Sequence, residues 1–113
     1  MKLYRAISVA EKIDLEINKL FIGKAGGYEG KLFAISPQDA SIFGKNFFPY
    51  DEEPFYIVEA EIDSRYKDLL DRLHPDESLG VGNTFAVDRD NLDDFNYYVI
   101  FKILNYVEYQ ETF

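Results

Sequence analysis

The sequence predicts an α+β fold, with helices packed on a mixed or antiparallel sheet in one domain spanning residues 1–113. Three observations carry this expectation. The segments run β-α-β-α-β-α-β-β along the chain. Two short apolar strands each end in a hydroxyl residue, Ser8 and Ser36, of the kind that caps a helix. The stretch Pro54–Ile62 alternates so cleanly that Tyr56, Val58, Ala60 and Ile62 face one side and Phe55, Ile57, Glu59 and Glu61 the other.

In order, Lys2–Ile7 reads as the opening strand. Ser8-Val-Ala-Glu11 is a capping box, in which the serine oxygen accepts from a first-turn amide and the glutamate reaches back. Val9, Ile13, Ile17, Leu20 and Phe21 then recur at helical spacing, which predicts an amphipathic helix over 9–20. Gly23, Gly26 and Gly27 break it into a loop, and Lys31–Ile35 is a second short strand. Ser36-Pro37 starts the next helix, because proline lacks an amide hydrogen that the first turn would leave unpaired. That helix is expected to end near Gly44.

A loop at 45–53 carries Phe47, Phe48, Pro49 and three acidic residues. After the alternating strand, Ser64 is expected to cap a third helix with Tyr66, Leu69, Leu70 and Leu73 as its apolar stripe, stopped by Pro75. Thr84–Val87 reads as a short strand and Asn91–Phe95 as a turn of helix. Asn96–Tyr109 is β-branched and aromatic enough for a long strand or a hairpin.

Composition bounds the function. Hydrophobic residues make up 47% of the 113, enough for a packed core. Twenty-one acidic against 12 basic side chains give a net charge of −9, and no Lys/Arg cluster exists to displace counterions from a nucleic acid. No apolar run approaches the roughly 20 residues of a membrane span, so no membrane partner is expected. With no cysteine and no apolar signal core near the N-terminus, a cytoplasmic location is expected. The sole histidine, His74, excludes histidine-based metal clusters and offers no Ser-His-Asp set. The acidic run Asp88–Asp94 lacks the glycine and closing glutamate of a calcium loop, so no metal is expected.

Leu3-Tyr-Arg-Ala-Ile-Ser8 with the following Glu11, then Glu29-Gly-Lys-Leu-Phe-Ala-Ile-Ser-Pro-Gln-Asp-Ala-Ser-Ile-Phe-Gly44 and Tyr56-Ile-Val-Glu-Ala-Glu-Ile62, resemble small ADP-ribosyltransferase-like domains. Such domains occur as toxin tips of bacterial polymorphic and Rhs-type toxins. The resemblance covers about residues 3–92. It implies a split sheet with three short helices that clasps NAD in a cleft. Arg5 would match the first-strand arginine that contacts the dinucleotide phosphates, for which a planar fork of donors is suited. Ser36 would match the second-strand serine beneath the nicotinamide ribose, and Tyr4 or Phe33 would stack on nicotinamide. Each has a plainer role open to it: Arg5 as partner of an acid, Ser36 as N-cap, Tyr4 and Phe33 as core.

The chain departs from the family at the catalytic carboxylate. The matching run is Thr84-Phe-Ala-Val-Asp88-Arg-Asp-Asn-Leu92, with Val87 where the resemblance implies glutamate. Asp88 is adjacent, but neighbouring strand residues face opposite ways. Glu59 and Glu61 on the preceding strand are the other candidates, although their alternation is also that of a solvated sheet face. Two functions follow: an NAD-dependent ADP-ribosyltransferase with a degenerate carboxylate position and a protein target, or a non-catalytic acidic module or inhibitor on the same fold. In the second, the aromatic loop at 47–55 and tyrosines 97, 98, 106 and 109 would meet a protein partner.

Overall fold

The computed structural model describes residues 1–22, 31–47, 55–73 and 84–104. The strands are β1 (Lys2–Ile7), β2 (Lys31–Ala34), β3 (Tyr56–Ile62), β4 (Asp71–Leu73), β5 (Thr84–Val87) and β6 (Val99–Leu104). The helices are α1 (Val9–Asn18), α2 (Pro37–Phe47) and α3 (Leu92–Tyr98), with short 3-10 helices at Ser64–Leu69 and Arg89–Asn91. The strands form one six-stranded sheet in the order β4-β5-β2-β1-β3-β6, and every pairing is antiparallel. The α+β class holds, and of the two sheet types expected the antiparallel one is found.

The sheet is uneven in its continuity. β1 pairs with β3 over six positions, from Lys2↔Glu61 to Ile7↔Tyr56, and β3 pairs with β6 over six more. β2 pairs with β5 over four. Between β1 and β2 one register pair, Tyr4↔Ala34, is found among the described residues. Two half-sheets, β4-β5-β2 and β1-β3-β6, therefore meet at a single bridge.

Alternation along the strands builds a core on each face. Leu3, Ile7, Phe33, Val58, Ala60, Ile62 and Val87 pack with Leu15 of α1, Phe21, and Leu92 and Phe95 of α3. At its centre Phe21 lies edge-on to Phe33 and Phe101, each with ring centroids 5.5 Å away, while Phe33 and Phe95 are 5.4 Å apart. The Asn96 side chain fixes Phe21 in place: Oδ1 accepts from the Phe21 amide and Nδ2 donates to its carbonyl, both at 2.9 Å. The opposite face carries Ala6, Ala34 and Ile57 beneath Ala40 of α2 and Phe55.

Several local expectations are corrected. The apolar stripe of α1 does not face the core: Ile13 and Ile17 are 50% and 72% exposed, and the buried residue of the helix is Leu15. Glu11 and Leu15, one turn apart, turn toward the sheet instead, because Glu11 is ion-paired to Arg5 of β1. The capping box is thus half made. Ser8 Oγ accepts from the Glu11 amide at 3.2 Å, while the Glu11 carboxylate is spent on Arg5. α1 ends at Lys19, whose backbone is left-handed (φ 61°) and donates to Leu15 O.

The third helix is a 3-10 helix with a non-helical Tyr66, capped by Asp63 rather than Ser64. Asp71–Leu73, expected in that helix, is drawn into the sheet by β5. α3 continues to Tyr98, so the last strand starts at Val99 and not at Asn96. The glycines at 23, 26 and 27, Phe48, Pro49, the acidic triplet 51–53, His74, Pro75, Gly80, Gly82, Tyr106 and Tyr109 lie outside the described residues.

α2 runs through Gly44 rather than ending there. A glycine inside a helix costs about 1 kcal/mol relative to alanine, and close packing explains its presence. A Cβ at Gly44 would lie 2.5 Å from Phe55 Cε2 and 2.8 Å from Cζ, inside a buried ring. Gly44→Ala is expected to lower stability by about 1–3 kcal/mol despite the gain in helix propensity. Urea unfolding would show this as a lower midpoint, and Phe55→Leu in the same chain should recover part of the loss.

Candidate functional site

The site is built at the junction of the half-sheets. Arg5 follows the bridging Tyr4 on β1 and faces the side of Leu3 and Ile7, where its register partner is Val58. Its guanidinium is bidentate to Glu11, with Nε 2.8 Å from Oε2 and Nη2 2.9 Å from Oε1. Nη1 donates to the Leu32 carbonyl of β2 at 3.1 Å. A side chain thus crosses the junction where the backbones share one pair.

Lys31, at the start of β2 and on the face of Phe33, brings Nζ to 3.6 Å from Glu11 Oε1. The side chains of Arg5, Glu11 and Lys31 are 16%, 17% and 11% exposed. Burial alone would raise the Glu11 carboxyl, but hydrogen bonds and charge from Arg5, with Lys31 behind, outweigh it. The group is held below its ordinary value of 4.5. Burial and the like charge of Arg5 push the Lys31 ammonium down, against the pull of Glu11 and Asp14.

Beside the bridge lies a crevice lined by Tyr4, Arg5, Phe33, Ala34, Phe43 and Thr84 among others. Its volume of about 10 Å³ is room for about one water molecule. Phe33 is 1% exposed and packs against Phe21 and Phe95, so its ring is core. Ser36 follows β2 and caps α2, its Oγ accepting from the Asp39 amide at 3.1 Å. No hydrogen bond among the described residues joins Ser36 to Arg5. They are successive features of one junction, with Arg5 reaching toward Leu32 and Ser36 lying beyond Ala34 in the other direction along β2.

The carboxylates are placed elsewhere. Val87 is fully buried in the main core. Asp88 is exposed just beyond β5, at the head of the 3-10 helix Arg89–Asn91. Glu59 and Glu61 line an open trough of about 270 Å³ with Lys2, Ile100 and Lys102, on the face opposite Arg5. Glu59 is the hub of that trough: Lys2 and Lys102 approach Oε1 at 3.9 and 3.8 Å, and the Tyr4 hydroxyl donates to Oε2 at 3.3 Å. Glu61 is exposed, as a solvated face requires. Tyr4 therefore touches both regions, lining the crevice with its body and holding Glu59 with its tip.

Three participants escaped the sequence reading. In the sequence Glu11 reads as part of the cap, and Lys31 and Thr84, which lines the crevice from β5, read as strand residues. The signal for Lys31 lay in its alternation: two residues before Phe33, it faces the core side. No protein-family model, curated protein or solved structure matches this chain. No helix among the described residues is long and apolar enough to cross a membrane.

Proposed function

We propose that this chain is an ADP-ribosyltransferase-like domain that takes NAD at the junction of its half-sheets, with a degenerate catalytic carboxylate position. The observation that carries the reading is the single bridge between β1 and β2 with Arg5 beside it. A sheet so divided offers the cleft that the resemblance implies, and a guanidinium there offers donors to a dinucleotide phosphate. Ser36, two residues beyond β2 and capping α2, supports the same reading. The crevice admits one water, so NAD would have to widen the junction. Turnover would draw on Glu59, which reaches the crevice lining through Tyr4, or on Asp88 or Glu61.

The test is a thermal-shift titration with NAD, together with labelled NAD in a cell lysate. A shift that Glu59→Gln leaves intact, while labelling of lysate proteins disappears, is the expected result for a transferase using Glu59. No shift with NAD and no labelled bands sinks the reading.

One observation favours the second reading, a non-catalytic acidic module that binds a protein. Tyr97 is 82% exposed beside the stacked pair Tyr66 and Tyr98, whose centroids are 3.7 Å apart. Tyr97 meets Tyr98 edge-on, giving an aromatic surface on α3 suited to a protein contact.

A further inference from the structure

We propose that the tyrosine surface of α3 docks an arginine-bearing segment of a partner protein, with the guanidinium stacked on Tyr97 and the carboxylates of Asp93 and Asp94 beside it. The proposal rests on the second reading above and adds the chemistry of the partner.

The ring is the first argument. One exposed aromatic side chain is ordinary on a protein surface, but Tyr97 does not stand alone. It is 82% exposed, yet it meets Tyr98 edge-on with centroids 4.9 Å apart, and Tyr98 is stacked on Tyr66. Tyr66 comes from the 3-10 helix Ser64–Leu69 and Tyr98 from α3, so two elements brace the surface. A ring placed in this way needs little ordering when a ligand arrives.

The charge around the ring says what covers it. Residues 88–98 carry four acidic side chains and one basic. Asp93 lies one turn before Tyr97 and Asp94 one turn before Tyr98, so each carboxylate neighbours a ring. Both are exposed, and no hydrogen bond or ion pair among the described residues engages either. The Tyr98 hydroxyl is pushed above its ordinary 10, by Tyr66 foremost and then by burial, Tyr97 and Asp94. A cation on this surface would relieve that crowding of negative charge.

The third argument is a precedent within the same group of rings. The Arg65 guanidinium lies 5.8 Å from the Tyr66 ring centroid while its Nη2 donates to Asp63 Oδ2 at 2.9 Å. Ring, guanidinium and carboxylate are thus already combined on Tyr66. Tyr97 and Asp93 supply the ring and the carboxylate, and a partner would supply the guanidinium. Arginine suits the place better than lysine, because its planar, weakly hydrated head stacks on an aromatic face.

The experiment is fluorescence anisotropy of the full chain with a labelled peptide of alternating arginine and glycine, and with its lysine counterpart. It is run at about 0.15 M ionic strength, where exposed charges more than about 8 Å apart are largely screened. The arginine peptide is expected to bind about threefold more tightly than the lysine one. Tyr97→Ala, which changes no charge, should weaken it about fivefold, and Asp94→Asn about threefold. Asp39→Asn removes the same charge from α2, across the sheet, and should change affinity by less than about twofold. Should Tyr97→Ala fail to fold, Tyr97→Leu takes its place, since it keeps apolar bulk and removes the aromatic face. Unchanged affinity in the folded Tyr97 variant overturns the proposal, as does equal loss in Asp39→Asn and Asp94→Asn, or no binding up to about 1 mM. A wild-type dimer that Tyr97→Ala makes monomeric in sedimentation overturns it too, because a second copy is then the occupant. Equal affinity for the lysine peptide, with equal loss in Tyr97→Ala, overturns arginine and leaves the protein-binding reading standing. Labelling of lysate proteins from NAD does the reverse: it removes the non-catalytic reading and leaves Tyr97-dependent arginine binding intact.

Discussion

Phe33→Ala is expected to remove about 3–5 kcal/mol of stability, the range for truncating a buried phenylalanine. That is a large part of the roughly 5–15 kcal/mol that holds a domain of this kind folded. The reason lies in its neighbours. Phe33 sits between Phe21 and Phe95, and Phe21 in turn meets Phe101, so one truncation opens a cavity shared by β2, α3 and β6. Chemical denaturation would show the loss as a lower midpoint. Phe33→Leu should cost less and leave any ligand affinity unchanged, because the ring is core. A folded Phe33→Leu protein that loses NAD binding would restore the stacking role that the sequence reading held open.

Arg5→Ala is expected to cost about 2–4 kcal/mol near neutral pH, since it leaves the Glu11 carboxylate half-buried with only the more distant Lys31. The effect depends on pH in a definite direction. The folded Glu11 carboxyl lies below its ordinary 4.5, so its ion pair contributes fully above that value. The contribution falls away as pH drops through the folded value. The stability gap between wild type and Arg5→Ala is therefore widest above pH 4.5 and narrows below it. Urea midpoints taken from neutral pH down into the acid range would test this, and a gap constant across them would show that the Arg5 contribution is not electrostatic.

What the sequence revealed was set by short-range chemistry. The caps at Ser8 and Ser36 were legible because a hydroxyl and an amide three residues on suffice to make them. The alternation of β3 was legible because its register with β1 and β6 follows its own pattern. The facing of α1 was not. That helix has an apolar stripe through Ile13 and Ile17 and another side through Glu11 and Leu15, and periodicity favours the stripe. The choice was made by Arg5, six residues upstream on a different element, whose ion pair draws Glu11 to the sheet. Asp71–Leu73 likewise took its conformation from β5, more than ten residues away. In the site, Arg5 as the partner of an acid is one of the two roles the sequence leaves open, whereas the place of Lys31 in the ion cluster exists only once β2 lies beside β1. The carboxylate candidates were found as residues but not as a group with Arg5, since β3 shows Glu59 to the opposite face.

The single bridge between half-sheets has a topological consequence. Chain order assigns β1, β3 and β6 to one half and β2, β4 and β5 to the other, so the polypeptide passes from half to half four times: β1 to β2, β2 to β3, β3 to β4, and β5 to β6. Neither half is a contiguous stretch that could be excised or synthesised first and left to fold. The two are laced by covalent chain, although one register pair among the described residues joins them. Such lacing lets a seam in the sheet loosen locally while the polypeptide remains one cooperative unit.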